Sequence, residues 1–499
     1  MTGAARGRAI LRIGGFLLAL CLLLSGLSPV FMYKYGLSRL LPFVRTAEEY
    51  DVLLLGDSQM MDAVYPLQLW RDYGITAYNA ASPTITMPVC YWMMMNALER
   101  MTPRAVVLAI RDVSGEPKHT YTSEELHTAL DAWPLTRTKL RTIWDLTDEP
   151  GARDDEGRRF RDLRLEYVFP LAKYHVRWNQ LTANDFFPAM NTQKGAEMAV
   201  GVAVPDGYPT VGEDEMLPEE GAGYAYLRRI IEECARREIP LLLVHMPYPA
   251  NEQEQRGVNR IRAIAEEYGT DLVDFVRDGG VTDPETDMHD TDAHVNPSGG
   301  RKVTDFLGAY LREHYGLADH RGEAGGAAWD AQTAAHREEM LSQLRAQKQG
   351  KSALMLLHDP EISLCLSLRA GTELRTSRVY NLLQNIAREH VFEEDAGVLW
   401  SGEMAPLSEL DYAEDWQAAY FLVVDRETGE ICELAGEEEE TLETSFGRLT
   451  CRTGDDPEIL LERGGESRRF FTEEADGDLS ILVIDRRTGE PAAELHYDL

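Results

Sequence analysis

Positive charge is scarce in this chain: 50 Lys and Arg stand against 84 Asp and Glu, for a formal net charge of −34. The shortage excludes a nucleic-acid binder, because neutralising phosphates takes a basic surface, and no local basic patch reverses it. Cysteine is scarcer still, with six residues at positions 21, 90, 234, 365, 432 and 451. No C-x-x-C pair and no Cys/His spacing occurs, which argues against a structural zinc site. Cys21 lies in an apolar run, and the five that remain are an odd number, so no full disulfide framework is implied. A single bridge between Cys432 and Cys451 is compatible with the sequence.

What is present is a chain of 499 residues, 44% of them hydrophobic, enough for two or three units with buried cores. The acid is spread along the chain, and its densest run, Glu437 to Glu440, reads as a solvated loop. Residues 13–33 carry no charge. Those 21 residues are enough to cross about 30 Å of hydrocarbon. Arg6, Arg8 and Arg12 precede the run with no acid among them, which places residues 1–12 in the cytoplasm and the acidic body outside. Lys34, Arg39 and Arg45 follow the run and weaken that asymmetry. No clear small-residue cleavage site follows the apolar core, which favours a retained anchor over a removed signal peptide. The expectation is a single-pass protein of the cell membrane with an extracytoplasmic body.

Beyond the anchor, apolar runs alternate with helical patterns. Strands are predicted at 50–55, 75–78, 105–110, 240–245 and 271–276. Helices are predicted after Gly56-Asp57 through Leu69, over 89–101, 224–236 and 252–267, and from Asn296-Pro297 to about Tyr315. Asn caps the last one, with Pro at its first position. Such alternation predicts an α/β domain over 47–316, built on a parallel sheet covered on both faces. Residues 115–215 are irregular, with helical pieces such as 122–132, and read as an insertion or lid. Residues 317–352 read as a linker or bridging helix. Residues 353–499 carry a near-repeat, VVDRETGE at 423–430 and VIDRRTGE at 483–490, which predicts two similar β-hairpins in a smaller α+β or all-β domain.

Gly56-Asp57-Ser58-Gln59 stands where the first strand ends and a helix begins. Ligands sit beyond the carboxyl ends of the strands in such sheets. A serine there has its hydroxyl in the crevice and its amide at a helix start, which suits an acyl-transfer nucleophile and its oxyanion. Taken alone, the tetrapeptide reads more simply as a helix cap after a turn. Residues 287–294, DMHDTDAH, change that reading. His294 lies in a loop before the last helix, and Asp290 or Asp292 could orient its second nitrogen. The same loop offers Asp287, His289, Asp290, Asp292 and His294 as metal ligands, but no distant Cys or His partner completes a site.

GDSQ after an apolar strand, with DTDAHVNPSGGRKVTDFLGAYL late in the domain, resembles the SGNH/GDSL hydrolase superfamily. The resemblance spans about residues 47–315. It points in particular to membrane-anchored extracytoplasmic members from Gram-positive bacteria. More distantly, the chain is similar to the SGNH-like proteins of alginate O-acetylation and teichoic-acid D-alanylation. The resemblance implies a flavodoxin-like three-layer fold and ester hydrolysis or acyl transfer, with Ser58 as nucleophile and His294 as base, and it calls for no cofactor. The implied partners are an acyl-ester substrate such as a cell-envelope polysaccharide, the membrane through the N-terminal helix, and a membrane-bound acyltransferase. Three positions depart from the family pattern. Thr291 stands where the family has Asp three residues before the His. Ala80 or Ala81, after Asn79, replaces the oxyanion Gly, and Arg111-Asp112 replaces a Gly-x-Asn. Gly56 and Asp57 frame the serine, and Asn79 or backbone amides are left to serve the oxyanion. A catalytically weak or inactive scaffold is the competing reading.

Overall fold

A computed structural model of the chain describes residues 3–46, 48–111, 122–148, 152–154, 156–201, 203–205, 211–284, 287–346, 361–369, 419–435, 439–452, 458–471 and 479–497. Asp112, Glu437, Glu438 and the rest of the expected linker beyond Ala346 lie outside these residues. By contacts the chain divides into two compact units. The first holds Met1–Glu197, Gly207–Val281 and Arg301–Gln332; the second holds Met198–Asp206, Thr282–Gly300 and Thr333–Leu499.

The first unit opens with helix α1 (Gly3–Phe31), of which Leu11–Phe31 is 21 residues long and apolar enough to cross a membrane. Helix α2 (Lys34–Arg45) follows. Then come β1 (Val52–Leu55), α3 (Ser58–Ala63), α4 (Pro66–Gln68), β2 (Ala77–Asn79), α5 (Met87–Ala97) and β3 (Ala105–Ile110). The helix expected to run from Ser58 to Leu69 is therefore broken. Tyr65 precedes Pro66, and a residue before proline is pushed out of the helical region; Tyr65 is extended at φ −104°, ψ 103°. Short helices fill the described parts of the expected insertion: α6 (Ser123–Leu130), α7 (Arg137–Leu146), α8 (Arg164–Val168), α9 (Leu171–Tyr174) and α10 (Ala183–Phe186). The unit continues through α11 (Ala222–Arg236), β4 (Leu241–His245), α12 (Glu252–Tyr268) and β5 (Asp271–Asp274), followed by α13 (Phe275–Asp278). The fifth strand stops at Asp274, two residues short of expectation, because the Asp274 carboxylate caps the next turn by accepting from the Arg277 amide.

These five strands form one sheet in the order β2-β1-β3-β4-β5, every pair parallel. That is a doubly wound order with its switch point between β1 and β3. The strands read as continuous apolar runs because both faces are covered. Leu53, Leu55, Val106, Leu108, Leu241 and Leu243 point into a core built with α2, α5, α6 and α11. Their alternate neighbours Val52, Leu54, Val107, Leu242 and Val244 are equally buried on the opposite face. Each fully buried aliphatic side chain is worth about 1.5–3 kcal/mol relative to exposure, so these runs contribute strongly to the unit's stability.

Helix α14 (Pro297–Tyr315) begins as the sequence suggests, with the Asn296 carboxamide accepting from the amides of Ser298 and Gly299 at 3.0 and 3.2 Å. Helix α15 (Gly326–Ala346) follows. In the second unit, β6 (Ile362–Arg369), β7 (Ala419–Asp425), β8 (Glu430–Ala435), β13 (Leu479–Asp485) and β14 (Glu490–Tyr497) make an antiparallel sheet in the order β14-β13-β6-β7-β8. The near-repeat is two hairpins, β7–β8 and β13–β14, flanking the central β6. Asp425 and Asp485 accept from Gly429 and Gly489 at 2.8 and 2.6 Å, and both glycines have positive φ. Strands β9 (Glu439–Thr444), β10 (Gly447–Arg452), β11 (Glu458–Arg463) and β12 (Glu466–Phe470) form a second antiparallel sheet. The two sheets share a core that includes Cys365, Phe421, Leu449, Cys451 and Leu482. Cys432 and Cys451 form no disulfide.

Candidate active site

Ser58 follows the carboxyl end of β1, at the switch point of the parallel sheet. Gly56 brings the chain there. Its φ is +144°, and a Cβ would stand 2.6 Å from that of Ala109 on β3, so only glycine fits. Asp57 caps α3, accepting from the Gln59 amide at 3.0 Å, and Ser58 is the first helical residue, half-buried.

The groups expected to serve an oxyanion are largely committed elsewhere. Asn79 is fully buried, and its amide nitrogen donates to Met60 O at 2.8 Å and Val64 O at 3.0 Å, while its oxygen accepts from the Ala81 amide at 3.3 Å. It ties the β2 loop to the end of α3. The amides of Ala80 and Ser82 donate to Leu54 O at 2.9 Å and Gly56 O at 3.1 Å. This loop is locked further by Arg39, buried and donating to Gly195 O and Ala81 O at 2.6 and 2.9 Å. Gly195 in turn passes so close that a Cβ would stand 2.0 Å from Asn79 O.

Arg111, after β3, is also engaged. It is bridged to Glu254 at 2.9 Å and lies 4.8 Å from the centre of the Tyr248 ring. Burial works against its charge, but Tyr248, Glu254 and Asp57 hold its pKa above the ordinary value.

The histidine loop is built around Asp290. One carboxylate oxygen accepts from the amides of Asp292, Ala293 and His294 at 3.0, 2.7 and 3.0 Å. The other lies 2.5 Å from His294 Nδ1. Burial favours the neutral acid, yet these bonds outweigh it and hold the carboxyl far below the usual carboxylate range. Asp290 is therefore an anion set against His294 Nδ1. Asp292 is exposed and is engaged by the Thr291 hydroxyl at 3.3 Å, so it does not orient the ring. Asp287 is buried and takes the Ser298 hydroxyl at 2.6 Å. Among the described residues no three His, Cys, Asp or Glu side chains are arranged to hold a metal ion.

Sequence reasoning missed a second histidine–aspartate pair at the same sheet edge as Ser58. His245 ends β4 and Asp274 ends β5, with Nδ1 and Oδ1 2.7 Å apart and both residues buried. Arg262 holds the other oxygen of Asp274 at 2.7 Å. The legible signal was a titratable residue closing each strand. The structure thus brings Gly56, Asp57 and Ser58 together in the first unit and Asp290 with His294 in the second.

No protein-family model matches the chain, and no curated protein matches it.

Proposed function

We propose that the chain is a membrane-anchored, single-pass serine esterase or O-acyltransferase of the SGNH/GDSL type. Its body is extracytoplasmic and its substrate is an acyl ester of cell-envelope polysaccharide. The Asp290–His294 pair carries this reading. An ionised carboxylate that fixes one ring nitrogen as donor leaves the other as base, which is what a serine nucleophile requires. Ser58, at the crevice of the parallel sheet, supplies that nucleophile.

The steps follow from these roles. Ser58 Oγ attacks the acyl carbon as its proton passes to a base, the role that the family resemblance gives to His294. The ester C–O bond then breaks, and the proton passes to the departing sugar oxygen. Water or a second sugar hydroxyl, deprotonated by the same base, then attacks the acyl-Ser58 carbon; the bond from that carbon to Oγ breaks, and Oγ takes the proton back from the base. With the β2-loop amides and Asn79 committed elsewhere, oxyanion stabilisation is reduced. One such donor is worth about 10²–10³ in rate, so slow turnover is expected.

Those committed donors also favour a second reading, a non-catalytic scaffold that holds a glycan or a membrane-bound acyltransferase. A fluorophosphonate probe and p-nitrophenyl acetate, applied to the full chain in detergent, separate the two. The enzyme reading expects covalent labelling of Ser58 and turnover that disappears in Ser58→Ala. Unlabelled Ser58, or turnover that survives the substitution, overturns it.

A further inference from the structure

The region where α1 leaves its apolar span is built differently from the rest of the surface. The end of α1 packs on α9, on α10 and on a 3-10 turn at His175–Asn179. Lys34 donates to the helix-end carbonyls of Pro29 and Val30, each at 3.0 Å, and the Arg177 guanidinium donates to Phe31 O. The guanidinium also lies 4.4 Å from the Tyr33 ring centre. Asp185 joins the two cations at 3.1 and 3.0 Å. These cations meet the unpaired carbonyls and negative dipole end of the helix, so the emergence point is fixed to the body.

Four large apolar side chains stand out around this clamp. Val176, Trp178, Phe186 and Phe187 are 62%, 71%, 56% and 85% exposed. Val176 and Trp178 lie on the turn, Phe186 ends α10 and Phe187 follows it, so all four sit on or next to elements that touch α1. Acid is missing as well. From Phe169 to Met190 the only acidic residue is Asp185, which is buried between Lys34 and Arg177, in a chain of net charge −34. Aromatic side chains beside a spanning helix, free of competing carboxylates, are what the headgroup region of a bilayer accepts.

The geometry points to a membrane-riding platform: Val176, Trp178, Phe186 and Phe187 enter the lipid interface beside α1 and hold the body flush with the bilayer. This assignment is independent of any chemistry at Ser58 and rests on α1 lying in lipid. It identifies a surface that the anchor alone does not require, since a spanning helix could equally carry its body on a loose tether.

The test uses the full chain reconstituted in phosphatidylcholine/phosphatidylglycerol vesicles. Cys21 and Cys432 are replaced by Ser; Cys90, Cys234, Cys365 and Cys451 are buried and stay unlabelled. Single cysteines at Phe187, Trp178, Leu23 on α1 and exposed Arg236 then carry an environment-sensitive fluorophore. The platform expects Phe187 and Trp178 labels to be quenched by shallow doxyl lipids at least twofold more than the Arg236 label, and to resist aqueous iodide. A quenched Leu23 label with Phe187 and Trp178 behaving like Arg236 overturns the platform while leaving the anchor standing. Protection from iodide without lipid quenching marks a protein cover instead and also overturns it. Leu23 escaping lipid quenching removes the anchor and the platform together.

Discussion

Asp290 and Asp292 differ by two positions and lead opposite lives. Three backbone amides and an imidazole converge on Asp290, whereas Asp292 is exposed and, among the described residues, takes its neighbour's hydroxyl. Asp290→Asn keeps an oxygen for the three amides, so the loop keeps its shape. Its NH₂ would then face Nδ1 and impose the wrong tautomer. Under the proposed mechanism kcat falls by about 10⁴-fold, the scale seen when a triad aspartate becomes asparagine. Asp292→Asn should leave kcat within a few-fold. Steady-state hydrolysis of p-nitrophenyl acetate by the two variants checks this, and equal losses would count against Asp290 as the orienting residue. Residue types could not make the choice beforehand. The two carboxylates flank Thr291 symmetrically in the sequence, and only the fold of the turn aims three N–H groups at one of them.

At the scale of elements, β4 and β5 end in a buried histidine–aspartate pair. Burial opposes the charge on Asp274, but the hydrogen bond and charge of His245, the Arg277 amide and the Arg262 guanidinium together hold its pKa below the ordinary value. A carboxyl depressed in the folded state contributes stability that is fully present above its unfolded value, about 3.9. The contribution is lost as pH falls through the lower, folded value. Removing one partner of a buried pair costs about 3–5 kcal/mol. Asp274→Ala should therefore melt well below wild type at pH 7, and the gap should close as pH drops below 4. Thermal melts followed by circular dichroism across pH 3–7 measure this, and a gap that is constant with pH would refute the assignment.

The elements were readable in proportion to how local their causes are. The runs VLLL, AVVLAI and LLLVH announce buried strands, and Asn296-Pro297 announces a helix start. The twin DRETGE and DRRTGE stretches fix two hairpin turns through Asp–Gly bonds. The break at Tyr65-Pro66 was equally local, because a residue before proline resists helix. Strand order was not readable, since nothing within β1 says that β2 and β3 lie on either side of it. Nor was the fate of Asn79, whose amide is consumed by carbonyls 15 and 19 residues away.

For the whole molecule, the decisive quantity is the apolar surface left on α1. Leu11, Phe16, Leu22 and Leu23 are each at least 60% exposed, and it is the end of the helix that packs on the body. Sequestering each such side chain is worth about 1.5–3 kcal/mol, so the segment has a strong drive into hydrocarbon. Pro29, near the end of α1, does not interrupt the span, and Lys34 and Arg177 satisfy the last carbonyls just beyond it. In the proposed topology the three arginines before the span are the cytoplasmic signal and the acidic body lies outside. The full chain should therefore remain in the membrane pellet after alkaline carbonate washing. Protease added to cells stripped of their wall should digest the body. Release of the chain by carbonate, or a body protected until the membrane is permeabilised, would place the acidic mass on the other side and remove the envelope polysaccharide as a substrate.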